Sequence, residues 1–160
     1  MLPYSPEAGC IRGFAFHGQR VYAAAEVGGV LRSDDGGESW ALAAGSDGNT
    51  DLGGPPEPFV SPDVHNIVVH PSDPDLVFAV SFAGLYRSQD GGATWKNLYR
   101  CYCRDLWLDP LDPQHIVFGP AKNVEAGGRI EVTRDGGQSW QLASDGLEVP
   151  WPNSLPERFS

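Results

Sequence analysis

One eight-residue pattern (hydroxyl, any residue, Asp, Gly, Gly, any residue, hydroxyl, Trp) occurs three times in this chain. The copies are Ser33-Asp34-Asp35-Gly36-Gly37-Glu38-Ser39-Trp40, Ser88-Gln89-Asp90-Gly91-Gly92-Ala93-Thr94-Trp95 and Thr133-Arg134-Asp135-Gly136-Gly137-Gln138-Ser139-Trp140. They begin at residues 33, 88 and 133, so 55 and 45 residues separate them, a period at which stacked or radially arranged supersecondary units recur. The chain reads as an array of repeats.

Each copy is embedded in the same surroundings. In the second, the apolar run Asn66-Ile67-Val68-Val69 is followed by the turn His70-Pro71-Ser72-Asp73-Pro74-Asp75, a second run Leu76-Val77-Phe78-Ala79-Val80, then Gly84-Leu85-Tyr86-Arg87, the box, and Trp95-Lys96-Asn97-Leu98-Tyr99. These are four short strands joined by tight turns. The third copy repeats the order with 105–108, the turn 109–114, 115–118, 129–132 and 140–142, and the first is terser, with 13–16, 20–24, 29–32 and 40–42. Several strands are apolar at consecutive positions, as in Ile67-Val68-Val69, which indicates sheets covered on both faces. Four-stranded antiparallel sheets stacked face to face provide that environment; a single two-sheet sandwich would leave the periodic boxes unexplained.

The box chemistry is that of a hairpin. Gly36-Gly37, Gly91-Gly92 and Gly136-Gly137 supply residues that tolerate positive φ. Asp35, Asp90 and Asp135 can accept hydrogen bonds from the turn's own N–H groups, Ser33, Ser88 and Thr133 with Ser39, Thr94 and Ser139 add hydroxyls that close it, and Trp40, Trp95 and Trp140 cap it by packing between sheets. These residues are therefore expected to be structural and not catalytic. The pattern resembles the Asp-box, or bacterial neuraminidase (BNR) repeat, of sialidases, xyloglucanases, sortilin-type receptors and photosystem assembly propellers. That resemblance implies an all-β fold: a β-propeller-type array of three four-stranded antiparallel blades in an incomplete ring. The boundaries expected are one partial propeller domain over 1–160, with blade one at about 10–44, a loop at 45–62, blade two at about 63–100, blade three at about 101–145 and a tail at 146–160. In these families the box hairpin lies at the blade periphery and the architecture is shared without a shared activity.

Charge and composition exclude some functions. The chain of 160 residues has a formal net charge of −10 and no basic stripe, so nucleic acid is not an expected partner. With 20 Gly and 14 Pro, turns must be frequent and long helices few. The start, Met1-Leu2-Pro3-Tyr4-Ser5-Pro6-Glu7, has no charged region followed by an apolar run, and no stretch reaches the ~18 apolar residues of a membrane span. A cytoplasmic product with no membrane association is the expectation. Cys10, Cys101 and Cys103 are an odd number and are expected to be reduced and packed as small apolar groups, since neighbours two apart on a strand do not favour a disulfide.

A propeller closes with about four or more blades. After Trp140, Gln141-Leu142-Ala143-Ser144-Asp145-Gly146 echoes the linker that follows the first box. The expectation is therefore the amino-terminal part of a longer propeller or a chain that assembles with copies of itself, two three-bladed halves making a ring of six. Isolated monomers would expose apolar end faces and be prone to aggregate.

Propellers bind ligands at the mouth of the central channel. Aligning the first strands on Phe16, Val69 and Leu108 brings Arg12, His65 and Arg104 to one equivalent position. That basic ring on an acidic chain points to an anionic ligand, guanidinium groups being suited to carboxylate or phosphate. The competing reading pairs these residues with neighbouring acids such as Asp63 and Asp105. Tyr102 and Asp105 flank Arg104 and belong to either arrangement. The alternation Asp47, Asn49, Asp51 suggests a calcium loop, but Leu52 and Pro58 stand where such a loop needs Gly and Glu, so no metal is expected there, nor any cofactor.

Two function classes remain. One is a binding or scaffold module for a carbohydrate, a small anionic ligand or a protein partner. The other is part of a glycoside hydrolase, sialidase-like or xyloglucanase-like, whose catalytic residues lie in other blades. The sialidase resemblance implies an arginine cluster and a tyrosine nucleophile, but Ile11-Arg12-Gly13 lacks the proline of the Arg-Ile-Pro signature, so catalysis by this segment alone is not expected.

Overall fold

The computed structural model describes residues 9–46 and 51–152. Three four-stranded antiparallel sheets account for its strands. The first holds β1 (Ile11–His17), β2 (Arg20–Ala25), β3 (Gly29–Ser33) and β4 (Ala41–Leu42); the second β5 (Val64–Val69), β6 (Val77–Ser81), β7 (Gly84–Ser88) and β8 (Lys96–Tyr99); the third β9 (Tyr102–Leu108), β10 (Ile116–Ala121), β11 (Glu131–Thr133) and β12 (Gln141–Leu142). Each strand pairs with the next in chain order, so each sheet is a simple meander. These are propeller blades, and among the described residues the three sheets do not close a ring. Among the described residues no helix is long and apolar enough to cross a membrane.

Two cores hold the sheets together, one in each space between neighbours. Ala15, Tyr22, Ala24 and Val30 of the first sheet pack with Ile67, Val77, Ala79 and Tyr86 of the second. Phe78, Val80 and Leu85 of the second pack with Leu106, Leu108, Ile116 and Phe118 of the third. The second sheet is thus buried on both faces, as its runs of consecutive apolar residues require. Polar ties cross the same spaces. Tyr22 Oη donates to Pro74 O at 2.6 Å and Arg32 Nη1 to Gly91 O at 3.1 Å. Arg87 Nη1 makes the corresponding bond to Gly136 O at 3.3 Å.

The three boxes share one hydrogen-bond design. In the third, Thr133 Oγ1 donates to Asp135 Oδ1 at 2.7 Å and accepts from Gly137 N at 3.0 Å, while Asp135 Oδ1 also takes Ser139 N at 2.9 Å. Ser33, Asp35, Gly37 and Ser39 repeat this, as do Ser88, Asp90, Gly92 and Thr94. Both glycines of each pair sit at positive φ, for example 69° at Gly91 and 88° at Gly92, where an L side chain is disfavoured. Trp95 is buried against the first sheet, and Trp140 packs on Phe118 and on Tyr99 of the second, with ring centroids at 4.5 and 5.6 Å. Trp40 has no sheet before it among the described residues and stays 40% exposed, its Nε1 donating to Gly37 O.

The strands differ from the sequence reading in two places. The first strand of each sheet begins two or three residues earlier than the period-two pattern indicates, at Ile11, Val64 and Tyr102. A register shift lies between Ile11 and Gly13, another between Val64 and Asn66, and a third opposite Arg104 and Asp105, between Phe118 and Pro120. These are β-bulges, which interrupt alternation and re-aim a side chain. In the third sheet the expected strand 129–132 shortens to Glu131–Thr133. Pro120 has no N–H to continue the ladder, and Ile130 N turns instead to Ser144 Oγ at 3.1 Å. Ser46 Oγ receives Val30 N in the same way in the first sheet.

Candidate functional site

The bulges decide where the basic residues point. Arg12 and His65 are the extra residues of the first two bulges, and Arg104 lies in the third. All three, with Tyr102 and Asp105, line one open cleft of about 1360 Å³. The cleft mouth is formed by the starts of β1, β5 and β9 together with the hairpins that follow β2, β6 and β10, which contribute Glu26, Phe82 and Val124. The box aspartates Asp35, Asp90 and Asp135 take no part in it.

Within the cleft the three basic residues are not equivalent. Arg12 Nε donates to Glu26 Oε2 at 2.5 Å, and Nη2 pairs with the same carboxylate. His65 Nδ1 lies 2.6 Å from Cys103 O, so it carries the proton and donates across to the third sheet, while Nε2 stands 3.5 Å from Asp63 Oδ2. Arg104 has no carboxylate partner among the described residues; its Nε donates to Tyr102 Oη at 2.8 Å, and the guanidinium carbon lies 5.7 Å from that ring's centroid. Tyr102 is only 5% exposed. Burial raises the pKa of its phenol, and the Arg104 charge and hydrogen bond oppose that rise. The tyrosine remains neutral, and its Oη accepts the Arg104 bond while its ring lies beside the guanidinium. The rings of His65 and Phe82 pack against it with centroids at 5.1 and 6.0 Å.

Asp105 belongs to the wall and not to the basic ring. Its Oδ1 accepts from Asn66 Nδ2 at 2.5 Å and from Leu106 N at 2.9 Å. Asn66 Oδ1 in turn accepts from Ile67 N at 2.8 Å. Sequence reasoning missed Asn66, Glu26 and Phe82. Asn66 was findable, because it follows His65 as Asp105 follows Arg104; Glu26 and Phe82 lie on hairpins with no motif to mark them. Asp63 is 7% exposed, and its Oδ1 has no hydrogen-bond partner among the described residues.

A Tyr–Arg–Glu cluster occurs elsewhere. Arg129 Nη2 donates to Tyr99 Oη at 2.8 Å and Nε to Glu131 Oε1 at 2.5 Å, with Tyr99 Oη 3.1 Å from the same carboxylate oxygen. None of the three lines the cleft, and Tyr99 packs edge-on against Phe118. The cluster ties β8 to the third sheet. The cysteines are free; the Cys101 thiol is pushed up by its hydrogen bond with Cys103 and by burial, an unreactive setting. Among the described residues no group of three or more His, Cys, Asp or Glu could hold a metal ion. Asp47 and Asn49 of the suggested calcium loop lie outside the described residues, and Asp51 Oδ1 accepts from Gly53 N at 3.0 Å.

The model of the BNR/Asp-box repeat matches residues 86–97, the second box and its flanks. The chain carries the Asp-box repeat. As an Asp-box propeller segment it is similar in structure to an ancestral GH74 enzyme, with TM-score 0.65 and 21% identity over 87% of this chain and 19% of that one. The GH74 xyloglucanase from Xanthomonas campestris gives TM-score 0.60 at 21% identity, over 86% of this chain and 21% of that one. YCF48 from Cyanidioschyzon merolae gives 0.57 at 18%, over 86% and 38%. The Asp-box chain therefore spans about a fifth of the GH74 structures and shares their fold. None of the curated proteins matches it in sequence.

Proposed function

We propose that this propeller segment is a binding module whose cleft takes an anionic ligand, a carboxylate-bearing carbohydrate or similar small molecule, at Arg104. The observation that carries the reading is the Arg104 guanidinium. It lines the cleft without an acidic partner among the described residues, beside a buried Tyr102 that positions its Nε. A guanidinium held by one edge keeps its other N–H groups for a planar anion. Phe82, exposed in the cleft wall, adds an aromatic surface of the kind that binds the unsubstituted face of a ring. Arg12 and His65 support the site more weakly, since Glu26 and Asp63 stand against them.

Hydrolysis is the second reading, in a form where catalytic carboxylates come from outside these three sheets. A glycosidase needs two carboxyl groups facing the scissile bond. Here Glu26 is engaged by Arg12, Asp63 faces His65, and Asp105 is held by Asn66 and Leu106 N. A reducing cytoplasm suits the three free thiols. The test is titration by NMR with glucuronate, glucose and inorganic phosphate. Glucuronate is expected to shift the resonances of the 102–105 strand, glucose not to, and Arg104→Met to abolish the response; equal binding of glucuronate by Arg104→Met would overturn the assignment.

A further inference from the structure

One sheet-on-sheet interface occurs twice inside this chain, and among the described residues both of its halves are also exposed, one on the first sheet and one on the third. The forward half is a row across the first three strands of a sheet. In the first sheet it is Ala15, Tyr22 and Arg32, and in the second Val68, Phe78 and Arg87. Each row meets the following sheet and places its arginine on a box glycine carbonyl. In the third sheet the same row is Trp107, Val117 and Val132. The arginine is gone and the row is apolar throughout, with Trp107 40% exposed.

The receiving half shows the matching change. Val69 and Leu108 are buried beneath the preceding sheets, and Phe16 holds their place in the first sheet by strand register. It is 68% exposed, and Phe14 and Trp40 lie within 6.1 Å of one another on the same face. Next to the core the polar partners also correspond. Arg20 of the first sheet pairs with Asp75 of the second at 2.7 Å. The residue at Arg20's position in the third sheet is His115, and the one at Asp75's position in the first is Gln19, as the carbonyl bonds to Gly36, Gly91 and Gly136 show. His115 Nδ1 is engaged by Asp109 Oδ2 at 3.0 Å within its own sheet and Gln19 carries no charge, so the two open faces do not repeat the Arg20–Asp75 ion pair.

We propose that the outer face of the third sheet docks on the outer face of the first sheet of a second copy, continuing the interface already built twice, and that two copies so joined close a six-bladed ring. The occupant is a second copy because the chain displays both complementary halves, and a head-to-tail interface of this kind closes when the rotation permits. The cleft gains from it directly. Three sheets line one side, and the second copy sets its own Arg12, His65 and Arg104 around the other. Phe16 and Trp107 do not line the cleft, so this association and the ligand reading can fail separately.

Light scattering coupled to size exclusion tests it, with far-ultraviolet circular dichroism to confirm that each variant folds. The chain is expected at twice the 17.2 kDa of one copy. Phe16→Ser and Trp107→Ser should each halve that mass, since either removes both contacts of the ring. Mixed together, the two variants retain one intact contact and should recover a two-copy species. A monomeric unaltered chain, a dimer that survives Trp107→Ser, or open-ended growth with concentration would overturn the proposal.

Discussion

Trp95 of the second box lies against Gly45, just after β4 in the first sheet. A Cβ at residue 45 would stand 2.7 Å from the indole Nε1 and 2.9 Å from Gly92 O, both inside any tolerable contact. Gly45 N also donates to Gly92 O at 3.0 Å, so backbone and ring close the seam between two sheets together. Gly45→Ala should destabilise the chain by about 1–3 kcal/mol through overpacking. Gly53→Ala, where the nearest atom would be Asp51 Oδ1 at 3.8 Å, should be close to neutral. Urea midpoints of the two variants decide; equal midpoints would remove the seam from the account.

Asn66 and Asp105 join the second and third sheets under the cleft. Replacing Asn66 by Asp removes the donor from a 2.5 Å contact and sets two carboxylates face to face. Asn66→Asp should lose about 1–3 kcal/mol near neutral pH and recover part of it in acid, when one carboxyl takes a proton. Denaturation at two pH values measures both halves of the statement. A penalty that does not shrink in acid would mean that lost packing, and not repulsion, is its source.

The box carboxylates carry an acid dependence. Hydrogen bonds from the Ser39 hydroxyl and backbone bring Asp35 from 3.8 to about 2, and Ser139 lowers Asp135 in the same way. At Asp90 burial works upward and the Thr94 bonds overcome it. A carboxyl depressed in the fold contributes stability above its unfolded value and loses it as pH falls through its folded value. Melting temperature should therefore decline as pH drops from about 4 toward 2, and Asp35→Asn should flatten that decline while lowering stability at pH 7. An unchanged acid limb in Asp35→Asn would show that other groups set it.

Much of this architecture was legible because box chemistry is local. The Thr133, Asp135, Gly137 and Ser139 bonds all close within one hairpin, so eight residues suffice to specify it and three copies suffice to announce three sheets. The first strands were harder. Their bulges at Arg12, at His65 and beside Arg104 break the alternation on which strand reading depends, and those bulges aim the basic residues into the cleft. Arg12, His65 and Arg104 are nevertheless equivalent by count from the strand ends, because the bulge falls at the same step in each sheet.

The sequence by itself determined the repeating blade and the hydroxyl, carboxylate and amide bonds inside each box, since chain neighbours supply those partners; the first box glycine still needs a carbonyl from a distant hairpin. The tertiary structure alone decided which charge stays available. Glu26 reaches Arg12 from a neighbouring hairpin, Asn66 takes Asp105 from another sheet, and Arg104 faces Tyr102 in place of an acid. Pairing in space depends on distances the linear order does not encode, so of three equivalent basic positions two meet acids and, among the described residues, Arg104 meets none.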